Sequence, residues 1–126
     1  GQLARLEKFV KTRNKLANLY KTRLSHLPLK FQEVPSNATS SYHLFTIELA
    51  DDFFCRNSLY KYLKSKNIGC QVHYIPVHLQ PFYKKKYGLK KLPNAEKFYE
   101  DVLSIPFFAS LETDEIDYII DNLKKF

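Results

Sequence analysis

Methionine is absent from all 126 residues, position 1 included. Translation begins on methionine, so the chain is expected to be a processed or cut piece of something longer. The opening agrees with this: Gly1-Gln2-Leu3 enters helical spacing with no Ser, Thr, Asp or Asn ahead of it as a cap. Tryptophan is absent too, and cysteine occurs only as Cys55 and Cys70, at a spacing that suits neither a metal nor a redox motif. Reduced thiols are the expectation. Only three glycines occur, and none forms a tight elbow around a serine or cysteine, so an activated nucleophile has no local framework. No apolar run approaches the roughly 20 residues of a membrane span. No charged-then-apolar leader opens the chain either, so a cytoplasmic protein is expected, with no membrane partner.

What is present is a globular composition. Hydrophobic residues make up 44% and aromatics 15%, carried by ten Phe and nine Tyr, which excludes disorder and allows one real core. Net charge is +7, from 20 basic and 13 acidic residues. The densest basic run is Lys84-Lys85-Lys86, with Lys90-Lys91 nearby and Tyr83 and Tyr87 interleaved. Aromatics among lysines suit single-stranded nucleic acid, but arginine, the usual reader of bases and phosphates, occurs four times and is scattered. A solvated loop is therefore preferred to a nucleic-acid site. An anionic small ligand such as a nucleoside diphosphate fits the charge equally well.

Leu3, Leu6, Val10, Ala17, Tyr20 and Leu24 share one face of a helix predicted over 3–27, stopped by Pro28. A polar loop is expected over 29–40. Residues 41–50 alternate as a strand, with His43, Phe45, Ile47 and Leu49 on one side, and Asp51-Asp52 end it. A second helix is predicted over 53–67, buried through Leu59, Tyr60 and Leu63, with Gly69 as its left-handed stop. A second strand is expected over 70–75, a short helical turn over 79–87, a helix from Pro93-Asn94 to about 103, and a short strand over 104–107. Thr113 is expected to cap the last helix, with Ile116, Ile119, Ile120 and Leu123 buried and charges that match its dipole at both ends. The sum is an α/β fold: one small sheet with helices packed on it.

The stretch QVHYIPVHLQPFY, residues 71–83, carries the chemistry. It reads as a buried strand, yet holds His73 and His78 on either side of Pro76. Histidine is the side chain most easily moved across neutral pH, and it needs partners when buried. A zinc site wants four ligands, and no carboxylate or cysteine near the pair completes one at recognisable spacing, so no metal is expected. His26, at the end of the first predicted helix, reads as a partner for the helix dipole.

The stretch GCQVHYIPVHLQPFY resembles a signature of the DegT/DnrJ/StrS family of sugar-nucleotide aminotransferases. The similarity extends to Gln2-Leu3 with Arg13 and Tyr20, to SYHLF at 41–45, to LPNAE at 92–96, and to LSIPFF at 103–108 with Leu111 and 113–116. It covers essentially the whole chain. The resemblance implies an α+β small domain with a mostly antiparallel sheet covered by helices, as in the C-terminal domain of enzymes that fold like aspartate aminotransferase. Residues 1–126 are then that domain, opened by the long helix 3–27, and the large domain that binds pyridoxal phosphate lies outside the chain.

The resemblance further implies a homodimer that moves an amino group from glutamate to a keto sugar on a nucleoside diphosphate. The cofactor-anchoring lysine falls before the point matching Gly1, and none of the 16 lysines here sits in that motif, so the chain alone is expected to be inactive. Within the family, 71–83 is most similar to the transaminases of pseudaminic acid synthesis. These aminate a UDP-4-keto-6-deoxy-N-acetylhexosamine for bacterial surface glycans. His78 matches a histidine near the reacting centre, and His73 and Tyr74 match the adjoining wall, so these three are the expected substrate-binding residues. The competing reading is a stand-alone binding module for nucleic acid or a protein partner.

Overall fold

The computed structural model describes residues 1–50 and 55–126. Three short strands, β1 (Leu29–Phe31), β2 (Phe45–Leu49) and β3 (Val102–Ile105), form one antiparallel sheet in the order β1-β2-β3. Leu29 sits opposite Leu49, and Phe45 opposite Ile105. The helices are α1 (Leu6–Arg23), α2 (Arg56–Ser65), α3 (Pro81–Tyr87), α4 (Pro93–Asp101) and α5 (Thr113–Lys125). The expected small antiparallel sheet with helices packed on it is what the chain forms. Among the described residues no helix is long and apolar enough to cross a membrane.

The core lies between one face of the sheet and α1, α2 and α5. Phe45, Ile47, Leu49, Leu103 and Ile105 meet Leu16, Ala17, Tyr20 and Leu24 of α1 and its exit, Leu59 and Leu63 of α2, and the predicted Ile116, Ile119, Ile120 and Leu123 of α5. Each such aliphatic side chain contributes about 1.5–3 kcal/mol on burial. Tyr20 stacks on Phe45 at 5.2 Å, and Phe45 on Phe107 at 5.4 Å, so the aromatic payload is concentrated where α1 crosses the sheet.

Several expectations are corrected. The long helix 3–27 is a 3-10 turn, Gln2–Arg5, followed by α1, and it ends at Arg23. Pro28 disfavours the helical region for Leu27, so the chain must leave the helix earlier, and the exit turn buries Leu24. His26 therefore lies beyond the helix, exposed, and Lys21 and Arg23 occupy the last turn. The apolar stripe is buried only from Leu16 onward: Leu3 is 84% and Leu6 49% exposed. The polar loop begins later than expected, because Leu29–Phe31 finds β2 as a partner. In 41–50 the alternation holds from Phe45 to Leu49, but Tyr42 takes φ 43°, so Tyr42 is buried and His43 exposed.

The strand expected over 70–75 reduces to a single bridge, Gln71 opposite Ser104. β3 emerges directly from α4 at Val102, so an antiparallel neighbour runs out of partners two residues beyond Gln71. β3 itself starts at Val102 rather than 104, and all four of its residues are buried. The left-handed stop of α2 is Asn67, at φ 56°, and not Gly69. The Ile68 N–H reaches the Leu63 carbonyl at 2.9 Å and the Asn67 N–H reaches Lys64 at 3.1 Å, a Schellman closure that buries Ile68 beside Leu63. The last helix is preceded by Glu112 as N-cap; its N–H donates to Glu115 Oε2 at 2.9 Å, and Thr113 is already helical. The strand end at Asp51-Asp52 and the helix start at Phe53 lie outside the described residues.

Candidate functional site

Residues 71–80 leave the sheet edge and cross to α3. Gln71 exchanges two backbone hydrogen bonds with Ser104, at 3.0 and 2.9 Å, and the chain then departs. Pro76, extended at φ −53° and ψ 139°, turns it into a 3-10 turn, Val77–Leu79, closed by the Leu79 N–H on the Pro76 carbonyl at 2.8 Å. Gln80 Nε2 reaches back to the Ile75 carbonyl at 3.3 Å, and Pro81 opens α3 with its φ already set for a helix. The backbone that carries the two histidines is thus pinned at both ends.

His73 lies just past the bridge. Both of its ring nitrogens are buried, and neither has a hydrogen-bond partner among the described residues. The ring borders a cavity of about 390 Å³ that Gln71, Lys64 and Ser104 also line. Ser104 Oγ is buried and equally without a partner. Tyr74 meets the His73 ring edge-on, centroids 4.7 Å apart, and is otherwise 76% exposed. Three polar atoms are therefore withdrawn from water around a hollow with no partner in the chain. Native proteins rarely leave such atoms unpaired.

His78 is held differently. Its Nε2 lies 2.9 Å from Glu96 Oε1, with the two side chains 11% and 32% exposed. The same oxygen accepts the Leu92 N–H at 2.8 Å, at the start of α4. The Leu92 N–H, and after it the bond from His78, hold the Glu96 carboxyl below its ordinary value. The ring borders a groove of about 500 Å³ with Pro76, Val77, Tyr83, Tyr87 and Lys90. Along this groove Tyr83 stacks on Tyr87 at 6.3 Å, and Lys86 Nζ sits over the Phe82 and Tyr87 rings at 5.8 and 5.2 Å.

The structure therefore joins His73 with Tyr74 but places His78 at a separate hollow. Glu96 and Ser104 are additions that the reading of single residues did not single out. Glu96 stands 18 residues beyond His78, so a search for a carboxylate near the histidines passes over it. Its signal is an acidic residue in the first turn of a proline-started helix. Ser104 carried no signal beyond being a polar residue in an otherwise apolar strand.

The model of the DegT/DnrJ/EryC1/StrS aminotransferase family matches residues 1–124. The chain is 33% identical over 98% of its length to the spore coat polysaccharide biosynthesis protein SpsC of Bacillus subtilis. It is 34% identical, again over 98%, to UDP-4-amino-4,6-dideoxy-N-acetyl-beta-L-altrosamine transaminase of Campylobacter jejuni. In each case it covers 33% of the relative. Among solved structures, Helicobacter pylori PseC, an aminotransferase involved in pseudoaminic acid biosynthesis, superposes over 98% of the chain at TM-score 0.89 and 26% identity, with 34% of its own length covered. The chain spans about a third of the length of these relatives. A match that runs through the sheet, α1, the 71–83 segment and α5 alike, in sequence and in backbone, places this chain in the DegT/DnrJ/EryC1/StrS aminotransferase family.

Proposed function

We propose that the chain is the C-terminal small domain of a sugar-nucleotide aminotransferase, and that residues 71–80 form part of its active-site wall. The amino group moves from glutamate to a keto sugar on a nucleoside diphosphate, a UDP-4-keto-6-deoxy-N-acetylhexosamine, in bacterial surface-glycan synthesis. The enzyme works as a cytoplasmic homodimer. The observation that carries this reading is His73. An orphaned buried donor or acceptor costs about 1–3 kcal/mol, and the unpartnered atoms of His73 and Ser104 belong to residues that line one hollow, so a ligand that shifts these side chains on entry can pair with them. A sugar-nucleotide offers hydroxyl and amide groups that repay that cost.

The family depends on pyridoxal phosphate, which serves as the electron sink for amino transfer. The residues on this chain do not by themselves form a cradle for it. The hollow at His73 contains one lysine, Lys64, and the groove at His78 one, Lys90, and both are exposed. In this proposal the cofactor is held by the large domain outside this chain. His73 and Tyr74 then bind the sugar-nucleotide, and His78 hydrogen-bonds a hydroxyl or moves a proton. A nucleic-acid module finds less support, because arginine, the usual reader of bases and phosphates, occurs only four times and is scattered along the chain.

The test is steady-state kinetics of the longer enzyme. His78→Asn is expected to lower kcat by roughly 10²-fold, the scale of a positioned proton-transfer group. His73→Asn is expected to act mainly on the sugar-nucleotide KM, as for a wall residue that binds ground and transition states alike. Unchanged kinetics in both variants would remove the active-site reading.

A further inference from the structure

We infer that Glu96 is a positioning residue for His78: it takes the proton on Nε2, so the ring presents Nδ1 as a hydrogen-bond acceptor, and the ligand group that meets it is a donor, a hydroxyl or an amine. The inference rests on the active-site reading of His78 for its ligand, but the clamp itself stands on geometry. Nε2 and Oε1 are 2.9 Å apart, which is a hydrogen bond and requires a proton between them.

Glu96 cannot be the donor. Its Oε1 already accepts the Leu92 N–H at 2.8 Å, at the N-terminal end of α4, where unpaired backbone donors and the helix dipole favour the anion. With the carboxyl kept ionised, an acceptor-only group faces Nε2, so Nε2 carries the hydrogen. In the neutral imidazole the remaining nitrogen is then an acceptor.

The arrangement also fixes the ring in space. The side chain is 11% exposed, the loop that bears it is closed by the Leu79 and Gln80 bonds, and the partner carboxylate is anchored to a second element. A carboxylate on the far nitrogen of an imidazole is a recurrent way to select a tautomer and an orientation. Specificity follows from the sign of the free site. In its neutral form His78 turns away a phosphate oxygen or a carbonyl, both acceptors, and accepts a sugar hydroxyl or an amino group.

Nitrogen-detected NMR tests this on the 126-residue chain. Labelling histidine alone leaves four imidazoles, His26, His43, His73 and His78, to be resolved. At a pH where the rings are neutral, His78 is expected to carry its proton on Nε2. Glu96→Ala is expected to change its tautomer ratio roughly tenfold toward Nδ1–H, the scale of losing one charge-assisted hydrogen bond. Glu96→Gln keeps a carbonyl oxygen as acceptor and should restore the Nε2–H form, and the His73 signals should stay put in both variants.

A proton on Nδ1 of wild-type His78, or an unchanged ratio in Glu96→Ala, overturns the inference. If Glu96→Ala does not fold, the wild-type tautomer and the glutamine variant decide alone. In the longer enzyme the two readings separate. Full turnover in His78→Asn overturns the ligand role and leaves the clamp measurable by NMR. Loss of turnover in His78→Asn together with an Nδ1–H tautomer overturns the clamp and leaves the active-site reading.

Discussion

Replacing His73 by phenylalanine is expected to stabilise this chain and to weaken sugar-nucleotide binding in the longer enzyme proposed above. Phenylalanine keeps a flat ring at the position, so the edge-on contact with Tyr74 at 4.7 Å survives. Its extra volume has somewhere to go, because the adjoining hollow measures about 390 Å³. What disappears is a pair of ring nitrogens buried without partners. Each orphaned polar atom costs about 1–3 kcal/mol when sealed from water, and exchange for an apolar group removes that cost. Fitting the larger phenylalanine ring offsets part of the gain, so the lower end, about 1 kcal/mol of stabilisation, is the expected outcome. For a domain of this size that is a rise in Tm of about 4 °C.

Thermal and urea unfolding of the 126-residue chain measure it, with the urea slope expected to stay constant, since the surface exposed on unfolding hardly changes. In the longer enzyme the same variant should raise the sugar-nucleotide KM by about tenfold, the equivalent of one lost hydrogen bond of 1.4 kcal/mol. A variant destabilised by more than about 1 kcal/mol would show that the imidazole is satisfied within the chain. That result would refute the reasoning, as would an unchanged KM.

Further outcomes follow from the same structure. Asn67→Val should cost about 1–2 kcal/mol, because a β-branched residue resists the left-handed conformation at φ 56°, whereas Gly69→Ala should be tolerated, since an added Cβ meets nothing within 4 Å; chemical denaturation separates the two. Tyr20, fully buried, donates from its hydroxyl to the Pro106 carbonyl at 3.2 Å. Tyr20→Phe should therefore cost about 1 kcal/mol and Tyr20→Ala about 3–5 kcal/mol, both read from urea midpoints. Glu96 has a folded-state pKa below its ordinary value of 4.5, so the stability it contributes is complete above that value and lost as pH falls through the lowered one. Wild-type chain should consequently lose more stability than Glu96→Gln on acidification below pH 4.5, measured by urea unfolding at stepped pH; parallel profiles would refute the assignment.

Much of the fold was legible because its signals are local. The apolar residues of α5 recur at helical spacing with matching charges at both ends, and each of those interactions spans four residues or fewer. Phe45, Ile47 and Leu49 alternate along β2 for the same reason. The histidines stood out as polar residues in an apolar stretch, which is also a local property. Elements failed where their limits depend on distant partners. The strand after Gln71 stops because β3 offers no further edge, and β1 exists because β2 does. Asn67 rather than Gly69 takes the left-handed turn because Ile68 must return to Leu63 at the core, and burial outweighs the glycine's ease of conformation.

For the candidate site, sequence singled out the two histidines, and tertiary structure decided how each is held. Glu96 became the partner of His78 only when α4 folded back beside the 3-10 turn at Val77–Leu79, a meeting that no short-range pattern encodes. His73 became an imidazole without partners only when the bridge from Gln71 to Ser104 carried it out of the solvent. Side-chain type is a property of one position, whereas desolvation and hydrogen-bond partnership belong to the packed assembly of elements and come into being with it.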